Sequence, residues 1–256
     1  NSRERYTRWR LAQARWLAQR TARIVGVSEG VRRHLLDLGF PEDRTVAIPN
    51  GIRLERFAHA DAHPLETREP GIVMSARFAR QKDHATLLRA IAVLKDRGLR
   101  PPVWLAGSGK RRHLQAAQRL CRTLGLDGQV HFLGHCNDIP GLLMRQRICV
   151  LSTHYEGMPL SLVEGMAAGC AVVGTAVPGV RELIEHEETG LLVPHEDPVA
   201  LAEAIADLLS DLAKAEHLGR RARQAAIERH GLDRMRQRYE ELFLVLCGGR
   251  PLITTG

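Results

Sequence analysis

The chain has 256 residues, 44% hydrophobic and 26% charged, values of a globular chain that exclude a fibrous or disordered one. At this length it buries a core without metal or disulfide staples, as one large domain or two small ones. The net charge of +8 is uneven, with nine arginines against Glu4 and Glu29 in residues 1–33, and only 4% of residues are aromatic, which excludes the spread basic and stacking face of a nucleic-acid binder.

The first expected element is a basic helix over about residues 2–21, with Tyr6, Trp9 and Trp16 in one arc. Arg5 and Arg20 fall in that arc at about 100° per residue, so a helix packed on protein is expected ahead of one docked on a membrane. A strand at Ile24–Val27, a helix to Leu38 and a strand at Val46–Ile48 follow. Two strands make no core of their own and read as the edge of another sheet. Residues 58–70, rich in Ala, His, Pro and charge, read as a linker. Beyond them, short apolar runs alternate with helical periodicity: Gly71–Ser75, Val103–Ala106, Val130–Leu133, Ile148–Leu151, Ala171–Thr175 and Leu191–Val193. This pattern predicts an α/β doubly wound parallel sheet, covered on both faces. Helical patterns at about 198–209, 211–229 and 233–246 close the chain.

No apolar run approaches the ~20 residues a bilayer requires, and no signal-peptide core is visible, so a chain neither spanning a membrane nor secreted is expected. The five cysteines are never spaced CxxC and are expected as reduced thiols. Histidine pairs His59/His63 and His131/His135 lie in a Pro-containing linker and on a strand, where four residues span roughly 13 Å, too far for one ion. No metal site is expected.

Two glycine motifs fail or weaken on inspection. Gly107 and Gly109 follow a strand and open a helix, but Arg112 stands where a dinucleotide fingerprint needs its third glycine, and Trp104 and Arg111 break a Walker loop. A tight turn with amides facing a cleft is the simpler expectation. Gly26 to Gly30 fits the GxSxG pattern of a hydrolase elbow. Ser28, near one end of the chain with no oxyanion segment before it, is more simply the N-cap of the next helix.

The segment from Ser152 to Gly169 carries more chemistry. A strand ends at Leu151, Glu156 lies in the loop, Pro159 suits a first helical turn, and Glu164 lies about one turn into the helix. Two carboxylates thus flank a helix N-terminus, a phosphate-binding place with free amides around Leu160 to Leu162. A ligand with hydroxyls on both sides of a diphosphate is a nucleotide sugar. Arg77 and Lys82, after the Gly71–Ser75 strand, add two cations at another turn on the same sheet edge.

These residues resemble the retaining GT-B glycosyltransferases of family 4. Glu156 and Glu164 are similar to its EX7E motif, and Arg77 with Lys82 to its diphosphate-binding pair. The stretch from Val130 to Asp138 resembles its nucleobase segment, and Val173 to Glu182 with Thr189 to Pro194 the end of its donor domain. Ile24 to Ser28 and Ile48 to Ile52 look like the end of its acceptor domain and the interdomain linker. Arg53, Asp83 and Gly165 depart from the usual Asp, Gly and Ala.

The resemblance implies a remnant of the acceptor domain with linker over 1–56, a nucleotide-sugar domain over 57–232, and a C-terminal helix and tail over 233–256. It implies that Arg77 and Lys82 neutralise the departing diphosphate, aided by amides of Met158 to Leu160. It further implies that Glu156, with Gly157, Met158, Pro159 and Leu160, holds the donor, that Glu164 holds its ribose, and that Cys136, Asn137 and Asp138 contact the base. No cofactor and no metal are implied. The expected partners are a nucleoside-diphosphate sugar, uridine favoured and guanosine possible, a glycan or lipid-linked acceptor, an anionic membrane surface, and the rest of the acceptor domain or a partner chain. The place is the cytoplasm or the inner membrane face. The alternatives are a non-catalytic sugar-nucleotide module and, more remotely, a serine hydrolase using Ser28.

Overall fold

Six parallel strands in the order β5-β4-β3-β6-β7-β8 form the central sheet of this computed structural model, which describes residues 7–248. They are β3 (Glu69–Ser75), β4 (Val103–Ala106), β5 (Val130–Gly134), β6 (Gln146–Leu151), β7 (Ala171–Thr175) and β8 (Leu191–Val193). The sheet forms because its central strands are apolar on both sides, with Ile72, Val73 and Met74 of β3 and Ala171 to Val173 of β7 fully buried. Strand order runs outward in both directions from the β3–β6 pair. That reversal places a crevice beyond the C-terminal ends of β3 and β6.

The crossovers are α3 (His84–Asp96), α4 (Arg111–Thr123), α5 (Ile139–Arg145), α6 (Leu160–Ala167) and α7 (Pro178–Arg181), followed by α8 (Pro198–Ser210), α9 (Leu212–Arg229) and α10 (Leu232–Leu246). Helix α3 packs with α4 and α8, and α6 with α5 and α9. Asp83, a departure from the family pattern, caps α3 by accepting from the Thr86 N–H at 3.1 Å and the Thr86 hydroxyl at 2.6 Å. Gly165, another departure, lies over β6 so closely that a Cβ would stand 2.5 Å from Cys149 Sγ.

The N-terminal part holds α1 (Arg8–Ala18), β1 (Ile24–Gly26), α2 (Glu29–Asp37) and β2 (Thr45–Ala47). β1 and β2 pair in parallel as a separate two-stranded sheet. Trp9 and Trp16 are exposed, and the Arg20 guanidinium lies 3.9 Å from the Trp16 ring centroid. Tyr6 and Arg5, expected in the same arc, fall outside the described residues, as does the start of the expected helix.

Two sequence expectations need correcting. Residues 58–70 are not a loose linker: after a 3-10 turn that buries Phe57, two further 3-10 turns carry Ala60 and Leu65 into the core. Buried Arg68 donates to the Ala168 carbonyl at 2.8 Å, and Arg223 of α9 holds Asp61 through two bonds of 2.8 and 2.9 Å. Aperiodic burial of this kind leaves no sequence signal. β3 and β6 also begin earlier than expected, because Glu69 pairs with Gln146 and accepts its Nε2–H at 2.8 Å.

Candidate active site

The crevice at the β3–β6 switch point holds about 570 Å³ and is lined by residues from four strand ends: Arg77 and Lys82 after β3, Gly107 and Ser108 after β4, His135 and Cys136 after β5, and Glu156, Met158 and Leu160 after β6. The expected cations, the first carboxylate and the helix start thus share one cavity. Arg77 is exposed and forms no ion pair among the described residues.

Lys82 and Glu156 are joined directly. The ammonium donates to Glu156 Oε1, with the two side chains 12% and 7% exposed. The Thr153 hydroxyl donates to the same oxygen at 2.9 Å. Both bonds use Oε1, so Oε2 is left for another donor. The loop around them is fixed by main-chain and side-chain bonds. Lys82 and Thr153 form an antiparallel bridge, His154 N–H donates to the Gln81 carbonyl at 2.9 Å, and Gln81 Nε2 donates to the Tyr155 carbonyl at 2.8 Å. Gly179, at the start of α7, seats this loop from below. A Cβ there would meet the Glu156 and Gly157 carbonyl oxygens at 2.5 Å.

Helix α6 starts with no side-chain cap. The Leu162 and Val163 N–H groups both reach the Pro159 carbonyl, at 3.1 and 3.3 Å. The free amides are therefore those of Leu160 and Ser161, one residue fewer than the sequence suggested, and Pro159 contributes none. Met158 packs back toward the N-terminal part, its Sδ accepting the Asn50 N–H at 3.2 Å. Gly157 faces Val27 and Val31.

The other expected residues are placed less centrally. Glu164 sits in the second turn of α6, outside the lining of the cavity. Burial pushes its pKa up, with the Arg56 charge acting the other way. Cys136 and His135 line the cleft, whereas the Asp138 carboxylate caps α5, accepting the Gly141 N–H at 2.8 Å. Asn137 is exposed beside it. The Gly107 amide does not face the cleft freely, since it donates to the Gly134 carbonyl at 2.7 Å. His84, under the Arg77–Lys82 turn, stacks on Phe78 at 4.2 Å, and burial drives its pKa down to about 4.

Ser28 does not have the surroundings of a nucleophile. Its hydroxyl caps α2, accepting the Val31 N–H at 3.2 Å, and donates to Glu182 Oε1 at 3.2 Å. Glu182 also accepts the Gly30 N–H at 2.7 Å. No histidine bonds Ser28 among the described residues.

Sequence spacing missed Thr153, whose polar side chain at a strand end was its one signal. It also missed a cluster at the outer rim, where His154, His195 and Glu196 meet from the loops after β6 and β8. Members 41 residues apart have no spacing motif. The cysteines are all free, and burial holds Cys149 well above the ordinary thiol range and Cys170 at about 11. No helix among the described residues is long and apolar enough to cross a membrane.

Residues 55–225 match the family described as glycosyl transferases group 1, and residues 1–56 match glycosyltransferase family 4. The chain is 35% identical over 232 residues to an exopolysaccharide phosphotransferase of Streptomyces coelicolor, covering 89% of this chain and 24% of that protein. It is 28% identical over 230 residues to the lipopolysaccharide core biosynthesis glycosyltransferase LpsE of Rhizobium meliloti, covering 89% and 64%. The fold superposes on Anabaena HepE, crystallised with UDP and glucose, with a TM-score of 0.85 at 22% identity, covering 94% of this chain and 68% of that one. The chain thus spans only part of the relatives it matches, from 24% to 64% of the two sequences above.

Proposed function

The chain belongs to the glycosyl transferases group 1 and has the GT-B type of Rossmann-like fold, and on that premise we propose that its switch-point cleft binds a nucleoside-diphosphate sugar and transfers the sugar, with retention, to a glycan or lipid-linked hydroxyl. The observation that carries this reading is the convergence of Arg77, Lys82 and the free α6 amides on one cavity that Glu156 also lines. As the bond between the anomeric carbon and the diphosphate breaks, negative charge grows on the leaving oxygen. Arg77, Lys82 and the Leu160 and Ser161 amides stabilise it there. The acceptor oxygen joins the anomeric carbon, and its hydroxyl proton passes to the departing diphosphate.

Glu156 has one oxygen engaged by Lys82 and Thr153 and offers the other to hydroxyls of the donor sugar. Glu164 takes the ribose hydroxyls, and the Cys136 to Asp138 turn meets the base. The two cations supply the charge that a divalent ion would bring to a diphosphate, so the donor needs no metal. UDP-sugar is the favoured donor, supported by the UDP complex of a protein with this fold, with GDP-sugar the second candidate. The relatives' names, an exopolysaccharide enzyme and a lipopolysaccharide core enzyme, support a role in polysaccharide or glycolipid synthesis, which we place on the cytoplasmic side.

A calorimetric titration of the chain with UDP, GDP and ADP, each with and without EDTA, tests this. One diphosphate is expected to saturate the chain insensitively to EDTA, and an Arg77→Ala/Lys82→Ala variant to lose it. Heat from none of the three would remove the donor assignment.

A further inference from the structure

Three potential ligand atoms point at one another on the rim of the sheet edge. His154 Nδ1 is 2.8 Å from His195 Nε2 and 3.2 Å from Glu196 Oε1, and His195 Nε2 is 3.9 Å from the same oxygen. A tetrahedral zinc with bonds of about 2.0–2.1 Å holds its ligand atoms about 3.3 Å apart. The triangle in this chain brackets that spacing. Two imidazole nitrogens and a carboxylate are ligands suited to zinc and its transition-metal neighbours, and not to calcium or magnesium.

The backbone supports the same point. Glu196 stands at φ 58°, left-handed, where a side chain is normally disfavoured. It is held there between β8 and Asp197, which caps α8 by accepting the Val199 and Ala200 N–H groups at 3.0 and 2.9 Å. This turn brings the Glu196 carboxylate onto His154. A hydrogen bond between the two imidazoles satisfies only one pair of the three groups, whereas a cation engages all of them. The side chains of His154, His195 and Glu196 are 28%, 40% and 62% exposed, which leaves an entry path and a fourth position for water.

We propose that His154, His195 and Glu196 form a zinc-class transition-metal site that ties the loop after β6 to the loop after β8. His154 lies two residues before Glu156, so the metal is a clamp on the loop that carries the first carboxylate. It lies outside the donor cleft, and its occupancy requires no nucleotide.

The test is a cobalt titration of the chelator-stripped chain, followed by zinc displacement and thermal melting. Wild type is expected to bind one Co²⁺ with the visible bands of a tetrahedral nitrogen and oxygen site, to exchange it for zinc, and to melt higher when loaded. His195→Gln should weaken zinc by at least about 100-fold. Glu196→Gly should abolish the metal-induced shift while raising the melting temperature of the stripped chain, because the strained turn is relaxed. That opposite movement separates ligand loss from misfolding. Absence of cobalt binding, thiolate charge-transfer bands that place the ion on cysteine, or affinity unchanged in His195→Gln would each overturn the site. Because no readout involves a nucleotide, failure here leaves the donor assignment standing, and the reverse holds too.

Discussion

Lys82 and Glu156, 74 residues apart in sequence, share one hydrogen-bonded ion pair across the switch point, with Thr153 as a second donor to the same carboxylate oxygen. The pair joins the turn after β3 to the loop after β6, so the cation proposed for phosphate and the carboxylate proposed for sugar are positioned by each other.

Removing only the cation strands a carboxylate that is 7% exposed. Lys82→Ala is expected to destabilise the fold by about 3 kcal/mol, the scale for breaking a buried pair from one side. The double variant Lys82→Ala/Glu156→Gln should recover much of that loss. Urea unfolding with an unchanged m-value checks it; a double variant no more stable than the single one would contradict it.

Glu164 gives the opposite signature. Burial raises its pKa, so the folded state disfavours the ionised form, and stability falls as pH rises through the carboxylate range. Glu164→Gln should therefore be at least as stable as wild type at pH 7. Its affinity for the nucleotide is expected to drop by about 10-fold or more, the scale of a lost hydrogen bond to a charged group. Melting and calorimetry on one preparation separate the two effects.

Acid should weaken the protein before its carboxylates titrate. His84 and His230 are held at about 4 against an ordinary 6.5, both chiefly by burial, with Arg229, Arg234 and Arg238 adding repulsion at His230. The unfolded chain takes up these protons below pH 6.5 and the folded chain only near pH 4. Stability is complete above 6.5 and falls between 6.5 and 4, by up to about 3 kcal/mol for each group. Urea midpoints across that window should show the slope, and His230→Gln should flatten part of it.

Glu182 fastens the N-terminal part through Ser28 and Gly30. In Glu182→Ala the amides of Ile24 to Gly26 and Gly30 are expected to exchange about 10-fold faster or more, while the six-stranded sheet is unchanged. Ser28 should remain unlabelled by a fluorophosphonate probe in both proteins.

Most of the sheet was legible because parallel strands buried on both faces are written as continuous apolar runs, as at Ile148 to Leu151. The cleft was legible because Arg77, Lys82 and Glu156 each lie in the segment that leads from such a run to the next helix. What was not legible depends on distant pairing. Gly165 has its reason in Cys149, Gly179 in the Glu156 and Gly157 carbonyls, and Arg68 in Ala168. The sequence of each segment alone carries no trace of these contacts. The Leu162 amide was misjudged for a local reason: Pro159 lends its carbonyl to two amides at once.

Ile52 and Gly231 form an isolated parallel bridge, in which Ile52 N–H donates to the His230 carbonyl at 2.9 Å and Leu232 N–H to the Ile52 carbonyl at 2.8 Å. The polypeptide therefore enters and leaves the six-stranded unit through one two-ply stem. Once the Glu182 contacts to Ser28 and Gly30 have parted, tension between the N-terminal part and α10 loads that stem in shear along the two plies, ahead of the strands of the sheet. Residues 53 to 230 are, in mechanical terms, a closed loop of chain with its own tie.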